Sequence, residues 1–226
     1  MKKRLLFLSM LALLHIAILN QTDYLLFSFE FIAQGSEYSY YYDIMALSVY
    51  NILFNTAMMV MFISTICKSV SDAFTMHPYI FNRGGQTIVK KVMLKRALNE
   101  ILFILSAKLI IYICYFIYTQ DFTFFFFYDM LSTFLTLGIF SLVFILSKLS
   151  GAKDKIPLFS LVAGHMIALI LSFRVNFFSV FTISTVEWRT YFHIIIPIKL
   201  CVLGAFGVFI LLKNNPNQIL GVKNND

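Results

Sequence analysis

The chain has 226 residues, of which 60% are hydrophobic and only 13% are charged, and its formal net charge is +7. Soluble domains average about 25% charged residues, so this composition excludes an ordinary soluble globular protein. The net charge does not indicate nucleic-acid binding, because the basic residues lie in short connections beside apolar segments, where they orient a membrane protein and meet anionic lipid.

Six apolar segments follow one another along the chain. A membrane-crossing helix needs about 20 apolar residues, and the backbone in hydrocarbon must pair internally, which favours helices. The first segment begins like a signal peptide but lacks a small-residue cleavage site, so we predict that it is retained. The sequence therefore predicts an all-α polytopic membrane protein with six transmembrane helices in one domain, residues 1–226. The predicted spans are 5–19, 44–67, 101–119, 124–146, 158–173 and 194–212.

Lysine and arginine fall almost entirely on one side of this predicted bundle. The two terminal segments and the connections after the second and fourth spans hold 14 of the 18 basic residues. The outer connections hold two, Arg174 and Arg189. Because basic residues accumulate on the cytoplasmic side of membrane proteins, we predict that both termini are cytoplasmic.

The outer connection at 174–193 differs from an ordinary loop. It is too polar to span the membrane, yet about half of it is apolar, including Phe177, Phe178, Phe181 and Trp188. Such a segment favours a re-entrant path between predicted helices 5 and 6, or packing at the membrane interface. An aromatic-rich surface loop is the alternative.

The longest inner connection, residues 68–100, contains two predicted breaks. A short helix at 69–76 is expected to end at His77-Pro78, and Arg83-Gly84-Gly85 marks a turn. A basic helix then continues into the third span, and the helical period places Lys90, Lys91 and Lys95 on one of its faces. This connection is either a positively charged membrane anchor or a docking surface for a cytosolic protein.

Four polar side chains lie inside the predicted spans: Lys108, Asp129, His165 and Lys199. Charges at such depth are expensive and often functional. We expect Lys108 to extend toward the inner surface, Asp129 to meet Lys199, and His165 to bond between helices rather than relay protons. Small residues at Gly164 and within 204–207 predict close helix packing.

No pattern of catalytic or metal-binding residues is visible in the sequence. There is no zinc-binding His-Glu-x-x-His, no Gly-x-Ser-x-Gly and no Walker A loop. The three cysteines lie in or beside spans without metal-like spacing, so packing is their expected role. We therefore predict that the chain is not an enzyme and that it holds no metal or cofactor itself.

The chain resembles the small membrane subunits of bacterial ABC-2-type transporters, and in particular permeases for antimicrobial-peptide export or immunity. The resemblance rests on six spans with both ends inside, the long inner connection, and the semi-apolar outer segment. It also rests on the stretch from Tyr79 to Gly85 that runs into the basic residues 90–96.

This resemblance implies a multi-pass protein of the bacterial cell membrane that works with a separate ABC ATPase subunit, which would bind ATP and Mg. It also implies a second permease subunit or a homodimer. In such transporters the inner connection after the second span docks on the ATPase. The corresponding residues here are Asp72, His77, Tyr79, Arg83, Gly84 and Gly85.

Two functions from different classes follow. One is a permease subunit that moves an amphipathic or hydrophobic peptide, or a lipid-like cargo. The alternative is a stand-alone membrane immunity or scaffold protein without transport activity. Co-elution of an ATPase in mild detergent distinguishes them.

Overall fold

The computed structural model describes residues 40–119, 125–153, 155–172, 176–182 and 188–213. These parts of the chain are helical and contain no β-strand. The elements, in chain order, are α1 (Tyr40–Thr75), α2 (His77–Thr119), α3 (Phe125–Leu149), α4 (Lys155–Ser172), a 3-10 helix (Asn176–Phe181) and α5 (Trp188–Leu212).

Several of these helices are long and apolar enough to cross a membrane. Among the described residues, four stretches have the length and hydropathy of a membrane-crossing helix: Thr56–Thr75, Thr87–Cys114, Phe126–Leu149 and His193–Leu212. Helix α4 is a shorter apolar helix, Lys155–Leu171 by the same measure. The predicted spans from the second to the sixth thus coincide with helices, whereas the first span and both termini lie outside the described residues.

Helix α3 is the centre of the bundle. It packs against α1, α2, α4, α5 and the 3-10 helix, and it is the most buried of the four long apolar stretches. The core between α1, α2 and α3 includes Phe62, Ile66, Met93 and Phe144, all fully buried. Because Met59, Phe62, Ile66 and Val70 recur at helical spacing, α1 turns one apolar face to this core.

The two predicted breaks in the inner connection are confirmed, in an altered form. The segment 69–75 is not a separate short helix but the end of α1, and α2 starts at His77. Gly85 interrupts α2 with a φ of 71° and a ψ of −174°. Side chains resist a positive φ, so glycine is the residue suited to this position.

The predicted basic face of α2 is only partly exposed. Lys91 and Lys95 are exposed, but Lys90 is buried and its Nζ donates to the carbonyl of Leu211 at 3.1 Å. Arg96 similarly donates to the carbonyl of Ser69 at 3.0 Å, near the end of α1. Leu211 lies in the last turn of α5, where carbonyls lack helical partners, and both bonds tie α2 to its neighbours at this end of the bundle.

The segment after α4 packs on the bundle. Val180 and Thr182 are fully buried, and Val180 joins Leu135, Ile195 and Ile196 in a second apolar cluster. An aromatic-rich surface loop, the alternative for this region, is therefore wrong for residues 176–182. The rest of the connection lies outside the described residues.

Close helix approach occurs at a glycine other than those predicted. A Cβ on Gly138 of α3 would lie 2.8 Å from Cδ1 of Leu203 on α5, whereas Gly164, Gly204 and Gly207 have no described atom within 4 Å of such a Cβ. The predicted close packing at Gly164 and within 204–207 is thus not found. Gly164 and Gly204 lie on exposed helix faces, and Gly207 is half-buried with open space where its Cβ would lie.

Replacing Gly138 by leucine is expected to destabilise the protein by about 1–3 kcal/mol, because the added side chain overpacks the contact with Leu203. Thermal unfolding in detergent measures the loss. Gly204→Leu is the matched control and should change little, since its position is open. A Gly138→Leu variant as stable as the control would contradict this packing, and adding Leu203→Ala should recover part of the loss.

Candidate functional site

A stripe of polar side chains runs along the buried face of α3. Asp129, Ser132, Thr133 and Thr136 follow the spacing i, i+3, i+4, i+7, and all four are fully buried. This spacing places them on one side of a helix. The stripe faces α2 and α5, each of which contributes a buried lysine.

The lysine from α2 pairs with the carboxylate of α3. Nζ of Lys108 lies 2.5 Å from Oδ2 of Asp129 and donates to Oγ1 of Thr133 at 2.8 Å. The hydroxyl of Tyr112, one turn along α2, donates to the same Asp129 oxygen at 2.7 Å. Hydrogen bonds to a charged acceptor are stronger than neutral ones, so α2 and α3 are joined by two of the stronger polar contacts available.

The lysine from α5 is held by uncharged oxygens. Nζ of Lys199 donates to Oγ of Ser132 at 2.6 Å, to Oγ1 of Thr136 at 2.8 Å and to the carbonyl of Thr182 at 3.0 Å. An ammonium group has three N–H donors, and these acceptors match that number. Lys199 therefore connects α5, α3 and the residue that follows the 3-10 helix.

The formal charges of the three ionisable side chains in this region do not cancel. Lys108, Asp129 and Lys199 are each fully buried, and together they carry one negative and two positive formal charges. Lys199 interacts electrostatically with both Asp129 and Lys108. The other Asp129 oxygen, Oδ1, is buried and accepts no hydrogen bond from the described residues. We call these three residues with Tyr112, Ser132, Thr133 and Thr136 the charge cluster.

Aromatic rings enclose the Tyr112 side of the charge cluster. The ring of Tyr112 packs edge-on against Phe126 with centroids 4.8 Å apart, and it stacks on Phe116 at 6.0 Å. Phe116 and Phe126 also meet edge-on at 5.8 Å. Removing water from an ion pair strengthens its attraction, so these rings support the Asp129 contacts.

The prediction that Lys108 extends toward the inner surface is wrong. Lys108 continues a buried face of α2 formed by Met93, Ala97, Ile101 and Ile104, so it faces neighbouring helices instead of lipid. A lysine reaches the membrane surface only from a lipid-facing position. Asp129 and Lys199 lie in one cluster, but the ion pair of Asp129 is with Lys108 and not with Lys199 as expected.

His165 contacts the residue next to one that binds the charge cluster, since Phe181 directly precedes Thr182, whose carbonyl accepts from Lys199. It is buried on α4, and its Nδ1 is 3.4 Å from the carbonyl of Phe181. Its ring meets Phe140 edge-on with centroids 6.0 Å apart. His165 thus links α4 to the 3-10 helix and to α3, in agreement with the predicted role of bonding between elements.

The residues expected to contact an ATPase lie around the junction of α1 and α2. Asp72 is exposed near the end of α1, and Tyr79 is 78% exposed. His77 begins α2, Gly85 is the residue that interrupts it, and Arg83 and Gly84 directly precede this interruption. The side chains of His77 and Arg83 lie outside the described set.

Sequence reasoning missed the hydroxyl groups of the charge cluster. The sequence could have indicated Ser132, Thr133 and Thr136, because they follow Asp129 at helical spacing within an apolar span. Thr182 had no such signal, since its carbonyl reaches Lys199 only through the folding of the connection before α5.

Among the described residues no group of three histidine, cysteine or acidic side chains could hold a metal ion. No family model matches the chain, and comparisons with curated proteins and with solved structures found no similar protein.

Proposed function

We propose that this chain is the membrane-spanning permease subunit of an ABC transporter that moves an amphipathic or hydrophobic peptide, or a lipid-like molecule. ATP hydrolysis would take place in a separate subunit. The observation that carries the proposal is the course of α2, which runs from the exposed junction with α1 to the buried charge cluster. Ionisable groups inside a helical bundle mark functional positions by default.

Helix α2 supplies a direct mechanical connection between these two regions. From Gly85 to Lys108 the helix rises about 35 Å, at 1.5 Å per residue. A helix transmits displacement along its length, whereas Gly85 allows the segment before it to change direction. A partner that moves residues 77–84 along the axis of α2 would therefore shift Lys108 relative to Asp129, whereas a sideways movement would be absorbed at Gly85.

The charge cluster supplies two alternative partners for one carboxylate. Asp129 pairs with Lys108, and Lys199 is bound to α3 one to two turns away. A shift of α2 that draws Lys108 away would leave Asp129 to pair with Lys199. Such an exchange changes the packing of α2 and α5 on α3 while the carboxylate remains paired, and thus provides two states of the bundle.

Replacing Arg83 by glutamate tests the coupling to an ATPase. Arginine presents a rigid, permanently charged fork that suits carboxylates on a partner, so reversal of its charge should weaken ATPase co-purification by an order of magnitude or more. Membrane insertion should be unchanged. The measurement is the amount of ATPase co-eluting with the tagged permease in mild detergent.

Lys155→Glu is the control, since it reverses the charge of an exposed side chain at the start of α4, outside residues 72–85. Full ATPase binding and full transport or resistance activity of the Arg83→Glu protein would refute this docking region. If no ATPase co-elutes with the wild type, the stand-alone immunity or scaffold function replaces the permease proposal.

A further inference from the structure

A second feature of the bundle is an apolar pocket whose lining includes no residue of the charge cluster. It has a volume of about 290 Å³ and lies between α3, α4, the 3-10 helix and α5. Phe140, Leu161, Phe181 and Phe206 are among its walls, and its one polar lining side chain, Ser160, bonds to the carbonyl of Ile156 within α4. Nothing in the lining selects a polar ligand.

The pocket opens to the surface of the bundle along α4. Gly164 and Ile167 both line it and are exposed, and a Cβ on Gly164 would meet no described atom within 4 Å. On a membrane-spanning bundle, exposed apolar faces meet hydrocarbon. The volume is roughly twice the ~150 Å³ of an apolar cavity that binds benzene, so the pocket can take several methylene groups of a chain.

Basic side chains lie at one end of this pocket. Lys213 follows Phe206 by two helical turns, which places it on the same side of α5 and about 10 Å further along the axis. Its Nζ donates to Ser150 in the turn between α3 and α4, and Lys153 is exposed in the same turn. By the distribution of charge in the sequence this end faces the cytoplasm, where the leaflet carries anionic lipids.

We propose that the pocket binds an acyl chain of an anionic phospholipid, with the headgroup at Lys213 and Lys153. The apolar walls fit the chain, and the lysines fit the charge of the headgroup. The lipid would hold α4 and the 3-10 helix against α3 and α5. This site goes beyond the proposed function and does not depend on it, because a scaffold protein with this structure would bind the same lipid.

The test uses the full-length protein in vesicles of phosphatidylglycerol or of phosphatidylcholine with the same acyl chains. Each kind of vesicle contains a trace of its own lipid with a photoreactive diazirine in the acyl chain. The labelled residues of the protein are mapped by mass spectrometry. The phosphatidylglycerol probe should label the pocket walls several-fold more than the phosphatidylcholine probe. Lys213→Gln or Lys153→Gln should each reduce this preference roughly fivefold, which is about 1 kcal/mol.

Gly164→Phe should fill the pocket and remove most of its labelling. Gly204→Phe is the matched control, because Gly204 is equally open but lies outside the pocket, and it should keep the labelling. Equal labelling of the pocket by both probes would overturn the proposal, as would unchanged labelling in Gly164→Phe. If Gly164→Phe fails to fold, the comparison of the two probes on the wild type decides alone.

Discussion

Asp129→Asn is expected to lower the free energy of unfolding by about 3–5 kcal/mol, because removing one partner of a buried ion pair leaves uncompensated charge. Here the consequence is severe, since both Lys108 and Lys199 would remain buried without any carboxylate in the cluster. Tyr112 would also lose its charged acceptor. Unfolding of the purified protein in mixed detergent micelles, followed by circular dichroism, measures the change.

Asp72→Asn provides the control, because it makes the same chemical change at an exposed position near the end of α1. A double variant, Lys108→Met with Asp129→Leu, should be more stable than Asp129→Asn alone, because it leaves one buried lysine without a carboxylate instead of two. Replacing both members of a buried pair by apolar residues is often close to neutral. If Asp129→Asn is as stable as Asp72→Asn, the carboxylate does not stabilise the bundle and the two-partner mechanism fails with it.

Lys199→Met is expected to have a different effect. Its cost in global stability should be smaller than that of Asp129→Asn, because Lys108 and Asp129 remain as a balanced pair. Locally, however, the contact from Lys199 to the carbonyl of Thr182 is lost, and the 3-10 helix should open more often. A hydrogen bond between membrane helices contributes about 0.6 kcal/mol on average and up to about 1.7, so the loss of the one bond to Thr182 predicts a roughly 3- to 18-fold increase in opening.

A cysteine placed at Val180 reports this opening, since Val180 is fully buried on the 3-10 helix. The three native cysteines are first replaced by alanine, and the rate of maleimide labelling is compared with and without Lys199→Met. Lys155→Met serves as the control for loss of an exposed lysine. Equal labelling rates for both lysine variants would show that Lys199 does not hold the 3-10 helix in place.

Hydropathy was sufficient to predict most of the helices. The described parts of the spans from the second to the sixth lie within α1 to α5, because the cost of unpaired backbone in hydrocarbon leaves long apolar runs no alternative. Helices α1 and α2 extend well beyond their predicted spans. Both interruptions of the inner connection were also predictable, from Pro78 after His77 and from the paired Gly84 and Gly85. These residues act locally, so their effect does not depend on the rest of the fold.

The partners of the charged residues were harder to predict. Depth counted along the sequence placed Asp129 near Lys199, but it ignored the direction in which each helix face points. Lys108 lies on the same face as Ile101 and Ile104, and this rotation decides that it meets α3. The role of Thr182 was beyond reach of the sequence, because an irregular connection has no periodicity from which its contacts follow.

The order of the charges along the chain has a consequence for biosynthesis. Lys108 and Asp129 belong to successive helices, whereas Lys199 follows Asp129 by about 70 residues, several seconds of synthesis at roughly 5–20 residues per second. The hairpin of α2 and α3 can therefore leave the insertion machinery with its buried charges already paired, Lys108 with Asp129. Helix α5 arrives later and brings its lysine to hydroxyl groups that α3 already presents, so the most costly charge enters the bilayer when its acceptors are in position.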